Sequence, residues 1–241
     1  MQFRKPTLEQ LLKQYRADPQ FMQNVTNWHV VPPKPARYAP YPQSVPTQLK
    51  EALIARGIEQ PYIHQRQAMD AIADGQDVVI VTPTASGKTL CYNVPVLTRM
   101  MEDENARALY IFPTKALAAD QVSELNEVIT AAHLSVKAFT YDGDTAATAR
   151  RAVRQAGNVV VTNPDMLHSG ILPYHTNWVK LFENLRYVVI DELHMYRGVF
   201  GSRMANLLRR LKRICAFYGC NPQFICCSAT DRKSTRLNSS H

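Results

Sequence analysis

Few stretches restrict a fold as tightly as Asp77-Val-Val-Ile-Val-Thr-Pro-Thr-Ala-Ser-Gly-Lys-Thr-Leu90. Val78 to Val81 is an unbroken β-branched run, the pattern of a strand buried on both faces of a parallel sheet. A loop of small residues follows, then Gly87-Lys88-Thr89 and an apolar helical pattern. Together these predict a phosphate cradle. Backbone N–H groups of Thr84, Ala85, Ser86 and Gly87 face phosphate oxygens, and the helix turns its positive end toward the anion. Lys88 is placed to reach the β- and γ-phosphates, and the Thr89 hydroxyl to hold Mg²⁺. Thr82 stands where the generic GxxxxGK[ST] pattern has its first glycine. A chance Gly-Lys-Thr would not come with this strand before it and this helix after it.

The rest of the chain fits a sheet built around that strand. From Pro61 the pattern alternates strictly, with helices over 62–73, 88–101, 115–132, 145–156 and 201–218. Strands are predicted at 107–112, 136–140, 158–162, 186–190 and 223–227. Alternation of this kind predicts an α/β fold with a parallel, doubly wound sheet. A length of 241 residues allows one large domain, or one domain with an appendage.

Residues 1–60 read differently, as an N-terminal helical and proline-rich extension. Leu8, Leu11, Leu12 and Tyr15 recur at helical spacing. Val31 to Pro42 is too rich in proline for regular helix. A further helix is predicted from Thr47 to Arg56, stopped by Gly57. Trp28, Tyr38, Tyr41 and Tyr62 either anchor this passage by packing or stack on bases.

Composition excludes several classes. No run is long enough to span a membrane, and the polar N-terminus lacks a signal-peptide core, so a cytoplasmic location is expected. Five cysteines without paired CxxC spacing read as reduced, buried thiols. The net charge of +8 suits a polyanionic partner, although many basic proteins bind no nucleic acid.

A second acidic element completes the nucleotide site. Tyr187-Val-Val-Ile-Asp191-Glu192 ends a buried strand in two carboxylates, where ligands of open α/β sheets gather. Asp191 is expected to hold Mg²⁺ through water, and Glu192 to polarise the water that attacks the γ-phosphate. The pair and the cradle specify nucleoside-triphosphate hydrolysis without saying what it drives.

With Leu193 and His194, those acids resemble the box of the superfamily 2 DEAD/DEAH-box helicases, in its DEVH-like form. Residues 82–89 resemble helicase motif I, which accounts for Thr82. Residues 82–97, 162–173 and 190–215 are similar to the MrfA-type bacterial DNA repair helicases. The resemblance implies ATP and Mg²⁺ as cofactors, a RecA-like motor domain over 61–230, and 3′-to-5′ movement on single-stranded or tailed DNA. It places Gln65 at the adenine edge, with Gln67 as the alternative. It assigns strand contacts to Pro113, Thr114 and Lys115, to Asp142 and Gly143, and to Thr162, Asn163, Pro164 and Asp165. Helix N-termini and hydroxyls there would grip phosphates without reading bases. It gives His194, Ser228 and Thr230 the task of coupling hydrolysis to the strand. An RNA helicase and a nucleotide-dependent clamp remain open, because backbone contacts barely distinguish the sugars. The basic cluster Arg203, Arg209, Arg210, Lys212 and Arg213 reads most simply as a solvated helix face.

In the family, a linker and a second RecA-like domain with arginine fingers follow Ser228-Ala-Thr230. Here residues 231–241 show no apolar periodicity and match one translation of a short-read sequencing adapter. They are expected to be a non-native tail, and the 241 residues alone to turn over little ATP.

Overall fold

Alternate residues of a strand face opposite sides, and the computed structural model, which describes residues 6–30, 32, 35–83 and 86–229, shows the two cores that result. The chain divides between Ala36 and Arg37 into two compact units. In the first, α1 (Leu8–Ala17) starts at Thr7 with a capping box completed by Gln10, and α2 (Pro19–Met22) starts at Asp18. Tyr15 stacks on Phe21 at 4.7 Å and Arg16 lies 5.0 Å from the Trp28 ring. The predicted amphipathic helix forms, but none of its residues is buried.

The second unit begins with α3 (Thr47–Ala55) and α4 (Ile63–Ala73), then β1 (Val78–Val81) and α5 (Lys88–Glu102). It continues through β2 (Arg107–Ile111), α6 (Lys115–Ala131), β3 (Ala138–Thr140), α7 (Ala147–Ala156), β4 (Val159–Thr162) and the single turn α8 (Pro164–Met166). After α9 (Val179–Glu183) come β5 (Leu185–Ile190), α10 (Gly198–Phe217) and β6 (Gln223–Ser228). The described residues form one sheet in the order β1-β6-β5-β2-β4-β3, parallel throughout. This is the predicted α/β architecture. Irregular turns over 167–178 separate α8 from α9, which periodicity did not foresee. Among the described residues no helix is long and apolar enough to cross a membrane.

One face of the sheet, with Ala108, Tyr110, Val159, Val161, Val189 and Ile225, packs against α3, α4, α5 and α6. The other, with Leu109, Ile111, Val160, Val188 and Ile190, packs against α7, α9 and α10. Two expectations change here. β1 is an edge strand, and only its first-face side is covered: Ile80 is 7% exposed, Val79 63% and Val81 42%. The expected division at residue 60 also differs from the structural one, because Leu49 and Leu53 of α3 lie in the first-face core. The expected tail over 231–241 and part of the proline-rich passage (31, 33 and 34) lie outside the described residues.

A parallel sheet puts all its strand carboxyl ends on one side. The loops after β1, β5, β2, β3 and β4 therefore emerge along one edge, and the motifs sit in those loops.

Candidate active site

The loop after β1 turns into α5 at Gly87, whose φ of +70° is left-handed. A β-carbon there would lie 2.6 Å from Gln65 Nε2, so both the conformation and the close approach call for glycine. Gln65 is 4% exposed, and its amide is committed: Nε2 donates to the Gly87 carbonyl at 2.9 Å, and Oε1 accepts from the Tyr62 N–H at 2.7 Å. His64 Nε2 lies 3.2 Å from the Ser86 carbonyl. The residue expected at the adenine edge thus ties α4 to the loop in this structure. Thr82 Oγ1 and Ser86 Oγ are 2.6 Å apart, closing the loop across the position that lacks the glycine. Thr84 and Ala85 lie outside the described residues.

Lys88 is 9% exposed, and its ammonium donates to the Thr82 and Pro83 carbonyls, both at 3.0 Å. Beside it, Thr89 Oγ1 donates to Gln121 Oε1 at 3.1 Å. The Tyr92 hydroxyl lies 3.2 Å from both Gln121 Oε1 and Asp191 Oδ2. Tyr92 and Gln121 therefore join the two expected Mg²⁺ ligands, and motif reading had named neither. Tyr92 was recoverable, being four residues beyond Lys88 and three beyond Thr89 on one helix face. Gln121 reaches the site from α6, which spacing does not reveal. Burial, reinforced by the Asp191 charge, holds the Tyr92 phenol well above its ordinary pKa, so it stays a neutral donor.

Asp191 is 8% exposed at the end of β5, and its Oδ1 accepts from the Glu192 N–H at 2.7 Å. Glu192 has a φ of +50°, a strained setting for a side chain of its size. Its Oε2 lies 3.1 Å from His194 Nδ1, and the same nitrogen lies 3.4 Å from the Ala229 N–H. Nδ1 donates to Glu192 when protonated and accepts from Ala229 when not, so the ring serves one partner at a time. Ser228 pairs with Val81 in the sheet, and its carbonyl accepts from the Thr82 N–H at 3.3 Å. Thr230 lies outside the described residues.

Lys88, Thr89, Gln121, Asp191 and Glu192 line a cavity of about 260 Å³. An adjoining cleft of about 610 Å³ shares Gly87 and Thr89 and is walled by Tyr38, Tyr62 and Gln65. The donor set fits the expected cofactors. Lys88 is satisfied only by loop carbonyls, which a phosphate can replace, and a hydroxyl beside a carboxylate offers the hard oxygens that Mg²⁺ takes.

The expected strand contacts are also brought together, though not all are presented to solvent. Thr114 caps α6, its Oγ1 accepting from the Leu117 N–H at 3.3 Å, while Pro113 is half-buried before it. Lys115 Nζ meets Asp144 Oδ2 at 2.6 Å, and that hydrogen bond raises the ammonium pKa. Asp142 Oδ1 accepts from the Asp144 and Thr145 N–H groups, leaving Gly143 exposed at the tip of the turn. Thr162 is 1% exposed, and its hydroxyl donates to the Tyr141 carbonyl at 2.7 Å. Asn163 caps α8 through the Met166 N–H, Pro164 is buried, and Asp165 is exposed. At this last turn the side chains of Thr162 and Asn163 hold the backbone in shape.

The chain is 57% identical over 227 residues to the uncharacterized ATP-dependent helicase YprA of Bacillus subtilis, covering 94% of this chain and 30% of that protein. It is 36% identical over 231 residues to the ATP-dependent helicase hrq1 of Schizosaccharomyces pombe, covering 93% of this chain and 22% of the relative. A crystal structure of the DUF1998 helicase MrfA bound to DNA and AMPPNP superposes with a TM-score of 0.88 at 55% identity, over 97% of this chain and 32% of that one. The chain thus spans about a third or less of each of these three relatives. Residues 62–237 match the family model described as DEAD/DEAH box helicase. With that match spanning the cradle, the acidic box and the strand-end turns alike, the chain belongs to the DEAD/DEAH-box helicase family.

Proposed function

We propose that the chain is the first motor domain of an ATP-dependent DNA helicase or translocase, of the 3′-to-5′ type and engaged in DNA repair. The observation that carries the reading is one shared edge. The phosphate cavity with Lys88, Thr89, Asp191 and Glu192 opens on the same side of the sheet as the turns at 113–115, 141–145 and 162–165. Polarity and a repair role rest on the resemblance to the MrfA-type helicases, and the DNA in that relative's crystal structure favours DNA over RNA. A cytoplasmic setting is part of the same proposal.

Each residue then has a task. Lys88 exchanges its loop carbonyls for the β- and γ-phosphates, and the loop N–H groups receive the remaining oxygens. Thr89 and Asp191 would hold Mg²⁺, which when bound would offset the negative charge that develops on the transferred phosphoryl group. Glu192 orients the attacking water and accepts its proton. His194 passes the state of Glu192 to Ala229, and with Ser228 and Thr230 it couples the cavity to the strand. Pro113, Thr114, Lys115, Asp142, Gly143 and residues 162–165 hold a single strand, or the tail of a duplex, by its backbone.

Lys88 is the one cation among the described residues lining the phosphate cavity. A second RecA-like domain of the longer protein supplies the arginines of the opposite wall, worth on the order of 10³ to 10⁵ in rate. The test is ATP hydrolysis by that longer protein with single-stranded DNA, single-stranded RNA or neither. DNA stimulation is expected, with binding lost in Lys88→Ala, and binding kept but turnover lost in Glu192→Gln. Stimulation by RNA alone overturns the DNA assignment, and robust DNA-stimulated turnover by the 241-residue chain overturns the need for a second wall.

A further inference from the structure

The five basic residues of α10 are solvated as expected, four exposed and Arg210 half-buried, but they do not share one setting. Arg209 turns back on its own helix, Nη1 donating to Asn206 Oδ1 at 2.8 Å. Lys212 lies 4.8 Å from the Phe224 ring, near the amino end of β6. Arg203, Arg210 and Arg213 do something else. They line a cavity of about 530 Å³ between α10 and the turn after β4, whose other wall includes Pro164, Asp165 and His168. Met204 and Leu207, 4% and 5% exposed, contribute its apolar lining.

Three guanidinium groups meet one carboxylate, Asp165, in this groove. Among the described residues none of the three forms an ion pair, and the guanidinium groups of Arg203 and Arg213 make no hydrogen bond. Arg210 Nη1 reaches only the His168 carbonyl and Nδ1, both at 3.4 Å. A concave site with three cations short of acceptors selects an anion, and the planar fork of arginine suits phosphate. At one end of the groove stands Phe200, 38% exposed and 5.2 Å from the Tyr196 ring. An aromatic face beside an anion site suits a base attached to its phosphate. The position decides between a free phosphate and a strand. Pro164 and Asp165 belong to the turn at the edge already assigned to the nucleic-acid backbone, so a strand crossing that edge runs on into the groove.

We infer that the groove between α10 and the 164–168 turn is a further contact for the DNA strand, with Arg203, Arg210 and Arg213 on its phosphates and Phe200 stacked on one base. This rests on the nucleic-acid reading above. The test uses a fluorescein-labelled oligo-dT strand, with anisotropy measured from 50 to 200 mM NaCl. The double variant Arg203→Ala/Arg210→Ala should lower the slope of log affinity against log salt by about 1.4, or about 0.7 per lost phosphate contact. The variant Arg209→Ala/Lys212→Ala removes the same charge from the same helix outside the groove, and should leave the slope unchanged. Phe200→Ala should weaken binding roughly 5- to 100-fold at constant slope. Unimpaired binding of a fluorescent ATP analogue checks that each variant is folded, and Arg203→Gln/Arg210→Gln replaces the alanine pair if that control fails. Equal slope losses in both double variants, or none in the groove pair, overturn the phosphate assignment, and an unchanged Phe200→Ala overturns the stacking. Failure of the wild type to bind the strand overturns the nucleic-acid reading itself, and this inference with it.

Discussion

Tyr92 shows how far single residues carry this site. Its hydroxyl is the only side-chain donor to Asp191 among the hydrogen bonds of the described residues, and it also stands next to the Gln121 oxygen that receives Thr89. Outer partners of this kind fix the direction in which a metal-holding carboxylate points, and losing one costs on the order of 10- to 100-fold in metal affinity or activity. Tyr92→Phe keeps the ring, including its edge contact with Tyr110 at 5.4 Å. The variant should therefore fold, bind nucleotide without Mg²⁺ as before, and need roughly tenfold more Mg²⁺ or beyond for half-maximal hydrolysis in the longer protein. An unchanged Mg²⁺ requirement would sink this role. Lys88, Thr89, Asp191 and Glu192 were legible because phosphate chemistry constrains residue type at fixed spacing. Gln121 was not, since a long-range partner leaves no periodic trace. Gln65 was legible as a position, but its committed amide became visible only once Gly87 O and Tyr62 N stood beside it.

At the scale of elements, the alternation of strands and helices gave nearly every boundary within two or three residues, because buried strands and amphipathic helices carry different periods. Strand order was a different matter. The run Val78 to Val81 has the composition of a central strand, yet β1 lies at the sheet edge with only one side covered. β-Branched composition reports a preference for pleated backbone, and neighbours decide burial. The two sides of β1 should thus respond differently. Ile80→Ala, inside the first-face core, should destabilise by about 2–5 kcal/mol. Val79→Ala should cost less than about 1 kcal/mol, the span of β-propensity at an exposed position. Urea unfolding of both variants measures this, and equal losses would mean that the second side of β1 is covered in solution. The short helices and irregular turns over 164–183 escaped the sequence because they are too short to show either period. Trp178, Leu181 and Phe182 nevertheless anchor them in the second-face core.

Over the whole molecule, stability should be lost in alkali, and the cause is the placement of acidic side chains in the core. Burial pushes the Cys91 thiol from 9.0 up to about 12, the Cys226 thiol to about 11, and the Tyr41 phenol from 10.0 to about 12. These groups keep their protons in the folded protein at pH values where the unfolded chain has released them. The folded state therefore binds more protons above pH 9, and stability must fall as pH rises there. The contribution is whole below pH 9 and is lost progressively as pH climbs through about 12. For Cys91 the change from 9.0 to about 12 amounts to about 4 kcal/mol. That is a large share of the roughly 5–15 kcal/mol that holds a typical domain together. The melting temperature should hold steady from pH 7 to 8.5 and drop steeply between pH 9.5 and 11.5, under reducing conditions that keep the thiols free. Cys91→Ala removes one titrating group at the cost of a small cavity, so it should melt lower at pH 8 yet lose less between pH 9.5 and 11.5. A wild-type melting temperature that stays flat to pH 11.5, or a Cys91→Ala curve parallel to it, would show that the core thiols do not set the alkaline limit.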